Sequence, residues 1–212
     1  MAVVGILGVV HDNALRIQHH LTLDILKELI LDFKPDVICG EVLPSSFEKY
    51  TTNPIERGYW GEPPSEYYDL IFPLCEEQNY KFVPIDWVEL DVWNDFNPLR
   101  NYTDAQKEEL EHEMENWWQK QLAASSEGRI PFNNQAFDDV TKLKYQWIAQ
   151  LDSRSHAVRW ECRHEIMLQR IKNAIGDNTN ARILCIVGAD HNHALYEGLQ
   201  SVHNIQIRYP LK

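Results

Sequence analysis

Two short segments share a spacing suited to chemistry: Gly8-Val-Val-His11 and Gly188-Ala-Asp-His191, each at the end of an apolar run. Imidazole binds divalent metals through a neutral ring nitrogen and exchanges protons near neutral pH, so a histidine projected from a buried strand serves either task. Two other apolar runs, VICGE and FVPID, end in carboxylates at Glu41 and Asp86. If the four ends converge, His11, Glu41, Asp86 and His191 form a donor set suited to zinc, manganese, cobalt or iron, with an open position for water. Metal-free general-base catalysis is equally permitted.

Each piece also has a plainer reading. A lone glycine and histidine at this spacing says little, whereas the pair together with Glu41 says much more. Asp86 serves as well to cap the next element, and Asp190 reads as a helix N-cap. His193 is expected to face solvent, and His164 to sit in an apolar stripe as a satisfied core histidine. Arg163 lies at the edge of that stripe, with Glu41 as a natural partner and Glu161 or Asp152 as surface alternatives. The glycines are expected to let the chain turn sharply out of each strand, and the following helix dipole to favour neutral imidazole.

The elements that must position these residues follow from hydrophobic periodicity. Val3 to Val10 is a nearly continuous apolar run, the pattern of a strand buried on both faces of a mainly parallel sheet. A helix is expected from Leu15 to Phe33, closed by Pro35, then a second strand from Asp36 to Glu41, which completes a β-α-β unit. Pro44 to Ser65 carries loop chemistry, Glu66 to Gln78 a helix, and KFVPID a third strand. Helical pattern then dominates from Thr103, a plausible N-cap, to Ala124 and from Phe137 to Ile175, with Gly176 as the stop. ARILCIVGADH supplies a fourth strand, followed by a short helix near Ala194 to Leu199 and a last strand near Asn204 to Arg208. The expectation is one α/β domain over residues 1–212, a mainly parallel sheet flanked by helices, with a helical insertion or cap at about 90–150.

Composition narrows the function classes. With 212 residues and 44% hydrophobic content the chain can bury a full core. A net charge of −12 without a basic stripe argues against nucleic acid. Cys39, Cys75, Cys162 and Cys185 are dispersed and read as buried thiols of a reducing, cytoplasmic setting. The opening MAVVGILGVV reads as a strand, not a signal peptide, and no apolar stretch reaches the length of a membrane span. Phosphate loop, nucleophile elbow and HExxH motifs are absent from the sequence.

Taken in order, Gly8 to His11, Glu41, Arg163 to Met167 and Gly188 to His191 resemble the pattern of TraB and TIKI proteins. The segment HDN, then HHL and KPDVICGE, is similar to the start of ChaN-like proteins, and erythromycin esterases share the general core at greater distance. The TIKI side of the resemblance implies a metal-dependent peptidase or other hydrolase acting on a peptide or small molecule, with both histidines and the glutamate essential. The ChaN side implies non-catalytic binding of haem, iron or a small ligand, and a scaffold without chemistry is the third reading. Where the family pattern has Asn after the arginine, this chain has His164, and residues from about 90 to 149 match nothing in it.

Overall fold

The computed structural model describes residues 1–125 and 130–211. The chain runs β1 (Ala2–Val9), α1 (Asn13–Gln18), α2 (Leu23–Phe33), β2 (Val37–Gly40), α3 (Pro44–Thr52), a π-helical turn (Tyr67–Ile71) leading into α4 (Phe72–Gln78), and β3 (Lys81–Pro84). It continues through α5 (Leu90–Asp95), α6 (Asp104–Ala123), α7 (Gln135–Leu151), α8 (Ser153–His156) and a second π-helical turn (Ala157–Cys162) leading into α9 (Arg163–Asp177). β4 (Arg182–Gly188), a 3-10 turn (Ala189–His191), α10 (Asn192–Leu199) and β5 (Ile205–Arg208) close it. The strands form one all-parallel sheet in the order β3-β2-β4-β1-β5, so the fold is α/β, with helices on both faces.

The apolar runs are continuous because the sheet is covered twice. Leu7, Val9, Ile38, Leu184 and Ile186 turn to one face and pack with Leu26, Ile30, Leu74 and Phe137. Val4, Ile6, Cys39, Ile183, Cys185 and Val187 turn to the other and pack with Met167, Ile171, Leu195 and Leu199. α2 and α4 therefore cover the first face, α9 and α10 the second. The central strands β1 and β4 lie side by side in register, Val9 opposite Gly188. From β1 the chain crosses towards β2 on one side, and from β4 it crosses to β5 on the other. Their carboxyl ends flank a topological switch point, where open α/β sheets leave a crevice for ligands.

Several local expectations are corrected. The helix expected over Leu15 to Phe33 is two helices, because His20 adopts a left-handed φ of 59° and Leu21 drops into the core. The long helical stretch breaks at Asp152, whose extended backbone and carboxylate cap the amides of Arg154 and Ser155. Gly176 stops nothing, since α9 runs on to Asp177. Cys162 is exposed, while Cys39, Cys75 and Cys185 are buried thiols. Thr103 caps α6 in a reciprocal capping box with Gln106. Among the described residues no helix is long and apolar enough to cross a membrane.

One buried carboxylate burdens this fold. Asp138, near the start of α7, is almost fully buried against the Tyr209 hydroxyl, and burial raises its pKa from 3.8 to about 6. A carboxyl raised in this way contributes its stability below its unfolded value and loses it as pH climbs through about 6. Asp138→Asn should therefore stabilise the protein at pH 7 by on the order of 1–2 kcal/mol and be neutral near pH 4. Denaturant unfolding at the two pH values checks this, and an equal effect at both would remove the linkage.

Candidate active site

Strand register brings the predicted residues to one edge. Glu41 follows the last residue of β2, His11 lies two residues beyond β1, and His191 closes the 3-10 turn after β4. The Glu41 carboxylate is their meeting point. Its Oε2 accepts the Gly188 N–H at 2.6 Å and stands 3.4 Å from His11 Nε2. Its Oε1 accepts Arg163 Nη2 at 2.8 Å and stands 3.2 Å from His191 Nε2. Arg163, arriving at the start of α9, also donates through Nε to Asp86 Oδ1 at 2.6 Å. Asp86 faces Arg163 and its own Trp87 amide, 2.7 Å away, and among the described residues its link to the histidines runs through the arginine.

The two glycines work through space, not through backbone freedom. Gly188 has an ordinary φ of −54°, and Gly8 lies inside β1. A Cβ on Gly188 would stand 3.2 Å from His11 Nε2 and 3.3 Å from Glu41 Oε2. One on Gly8 would lie within 2.7 Å of three atoms of the Asn192 side-chain amide. Each glycine therefore admits a polar side chain against the sheet edge, where a sharp turn was expected.

Both imidazoles are fixed from behind. His11 Nδ1 donates to Glu66 Oε1 at 2.5 Å, and Glu66, fully buried, is paired in turn with the buried Arg16. Arg16 also donates to Ser65 Oγ at 3.2 Å and to Asn13 Oδ1 at 3.3 Å. His191 Nδ1 meets His164 Nε2 at 2.8 Å. Burial and the neighbouring positive groups press the His164 pKa down to about 2, so it is a neutral ring, with a backbone hydrogen bond to Trp160. A neutral His164 that gives its one N–H to that carbonyl accepts at Nε2, so His191 donates from Nδ1, and its Nε2 carries a proton towards Glu41 Oε1 when the ring is charged and is bare when it is neutral.

His11 behaves otherwise. Burial alone would lower its pKa, but hydrogen bonds and charge from Glu41 and Glu66 outweigh this and raise it to about 10. The helix-dipole expectation of a neutral ring is thus reversed, because two carboxylates outweigh a helix of six residues, α1, that begins beyond Asp12. Burial opposes ionisation of Glu41, yet His191 in its charged form and Arg163 hold its pKa well below the ordinary range. Three carboxylates, Glu41, Glu66 and Asp86, face the guanidinium groups of Arg16 and Arg163 and the protonated His11, and Arg170 stands against Asp86 as well.

Tyr67 and Trp160 were not placed at the site by sequence, and Asp190 and His193 were placed differently. Tyr67 bridges two strands, its hydroxyl accepting the Glu41 amide at 2.8 Å and donating to the Ile186 carbonyl at 2.9 Å. Trp160 stacks on His191 with ring centroids 5.0 Å apart and on Tyr145 at 3.3 Å. Tyr67 and Trp160 both sit on π-helical turns, rare geometry that clusters at functional sites. Asp190 caps nothing: it accepts from Lys144 at 2.5 Å, Gln121 at 2.7 Å and Tyr145 at 3.0 Å, tying α6 and α7 to the end of β4. His193, expected at the surface, is buried.

Among the described residues no group of three or more His, Cys, Asp and Glu side chains is arranged to hold a metal ion. Comparison of the chain with protein-family models, curated proteins and solved structures finds no match.

Glu66→Gln should lower the His11 pKa from about 10 by more than one unit in a histidine proton titration. It should also cost about 3–5 kcal/mol of stability, because it strands Arg16 without a counter-charge. An unchanged His11 titration would show that Glu41 alone holds the proton.

Proposed function

We propose that this chain is a hydrolase whose proton-transfer centre is the Glu41 carboxylate set between His11 and His191. One observation carries the reading: two imidazoles are aimed through Nε2 at one buried carboxylate while their Nδ1 atoms are backed by partners of different charge, the Glu66 carboxylate and the neutral His164 ring. Environments that separate two titratable groups in this way assign acid and base. His191, in its neutral form with Nε2 bare, is the base that takes a proton from water. His11, an imidazolium, is the acid that returns a proton to the leaving group. Glu41 aligns both rings and stabilises the charge that develops on His191, while Arg163, fixed by Glu41 and Asp86, faces the developing oxyanion.

The residue types would also suit a divalent cation such as zinc, manganese, cobalt or iron, since a neutral His191 Nε2 facing a carboxylate oxygen is a place for positive charge, although among the described residues the side chains are not set as a ligand group. His191, Glu41 and His11, the last after giving up its Nε2 proton, would have to close on it, and it would supply Lewis-acid polarisation of a carbonyl and a more acidic water. Asp86 then supports through Arg163. The sequence resemblance to TraB and TIKI proteins points the same way, towards peptide or small-molecule bonds.

The test is turnover of a panel of activated esters and short peptides by the wild type, His11→Ala, Glu41→Gln and His191→Ala. Metal analysis of each protein after repletion and desalting accompanies it. Each substitution should lower kcat/KM by about a hundredfold or more while the folded spectrum persists. Wild-type activity should fall as pH rises past about 10, where His11 loses its proton. Stability should fall in parallel, because a histidine whose pKa is raised on folding stabilises below its usual 6.5 and loses that contribution through about 10. A Soret band on haem titration without turnover would replace this reading with ChaN-type haem carriage. Neither activity nor haem binding would leave a scaffold.

A further inference from the structure

Beside the site lies a cavity of about 260 Å³ under the helical layer, closed by Trp93, Tyr145, Trp160, Arg159, Arg163 and Lys144 among others. Its size is just below the range of about 300–1,000 Å³ usual for ligand pockets, so it suits a small molecule. Its charge runs against that of the protein. The chain carries a net −12, yet no Asp or Glu lines this cavity among the described residues, while three cationic side chains do.

Two of those cations are already compensated. Arg163 is bound by Glu41 and Asp86, and Lys144 by Asp190. Arg159 is not. Its guanidinium lies 3.4 Å from the Trp93 ring centroid and makes one long hydrogen bond, 3.4 Å, to the Phe96 carbonyl. The charged group acting on it besides the Tyr145 phenol is Arg163, a like charge one turn away, and no carboxylate pairs with it among the described residues. A half-buried guanidinium with donors to spare is costly to retain unless something anionic meets it. Apart from Ser155 and His156, the rest of the wall is flat and apolar, the Tyr145–Trp160 stack on one side and Met114 and Ile148 on another. Trp93, 42% exposed, stands at the rim.

We propose that Arg159, backed by Trp93, is an anion-recognition subsite, and that the molecule this site takes is a small organic anion with a flat apolar body. The proposal rests on the hydrolase reading for the fate of that molecule, but not for its binding. The anionic head pairs with Arg159, the body lies along the Tyr145–Trp160 stack, and the far end is presented to Arg163 and, through it, to Glu41. Trp160, which also stacks on His191, gives the cavity and the reacting edge one shared wall. Arg159 is thus a specificity-determining residue, distinct from the proton-transfer groups.

The experiment is calorimetric titration of the full chain with phenylacetate, phenyl phosphate and the uncharged phenylacetamide, for wild type, Arg159→Gln and Arg159→Lys. Wild type should bind at least one of the two anions about tenfold or more tightly than the amide. Arg159→Gln should erase that preference with an unchanged folded spectrum, and Arg159→Lys should restore part of it. Whichever anion binds more tightly identifies carboxylate or phosphate as the natural head group. Equal binding of anions and amide by wild type, no binding of any probe, or a preference that survives Arg159→Gln would overturn the proposal. Binding is read without turnover, so an anion preference in a protein that hydrolyses nothing would sink the hydrolase reading and leave the subsite standing. Activity that depends on His11 but is indifferent to anionic substrate groups would do the reverse.

Discussion

A carboxylate taken out of water must recover several kcal/mol of lost hydration from its neighbours, and Glu41 is the residue on which that demand falls. It is met by one backbone amide, one guanidinium and two imidazoles drawn from three segments of the chain. Each donor imposes a constraint elsewhere. The Gly188 amide can approach because Gly188 has no Cβ. Arg163 must enter at the start of α9, which fixes where the preceding π-helical turn ends. The Glu41 backbone itself is set by the Tyr67 hydroxyl, which ties β2 to the Ile186 carbonyl of β4. Satisfying one buried anion therefore fixes the relative position of β2, β4 and α9 at their functional ends.

The helical layer is coupled to the same edge by a second buried anion. Asp190 belongs to the turn that carries His191, yet its three partners lie on α6 and α7. Burial disfavours its ionisation, but Lys144 and Gln121 hold its pKa below the ordinary value. Asn133, just before α7, reaches further and pairs with both backbone groups of Gly8 at 2.8 and 2.9 Å. The layer thus grips the ends of both central strands. A shift of α7 would move the His191 turn and the wall of the adjoining cavity together, since Lys144 and Tyr145 belong to both.

The sheet, the strand ends and the paired glycine and histidine motifs were legible in the sequence because each is encoded within a few residues: an apolar run, a small residue, a polar terminus. Glu66, Arg16 and Tyr67 were not. Arg16 lies in a segment whose apolar period reads as one helix with α2, and only the left-handed His20 turns it inward to meet Glu66, fifty residues away. Glu66 itself looks like an ordinary helix start. Trp160 reads as a core aromatic by spacing, and the π-helical turn that swings it onto His191 has no local signature. The apolar stripe did identify His164 as buried, but periodicity carries no information about which buried polar group will be its partner.

The repeated motif invites the assumption of equivalent histidines, and the structure separates them. His11 is backed by an anion, so its second proton is stabilised from both sides. His191 is backed by a ring that burial keeps neutral, so its Nδ1 proton is anchored while a proton on its Nε2 is held from one side, by Glu41. A carboxylate between two identically backed imidazoles would hold both in one protonation state and leave nothing to move. The asymmetry comes from residues outside the motif, Glu66 in one case and His164 in the other. The chemistry of this edge is therefore set less by the motif than by what stands behind it.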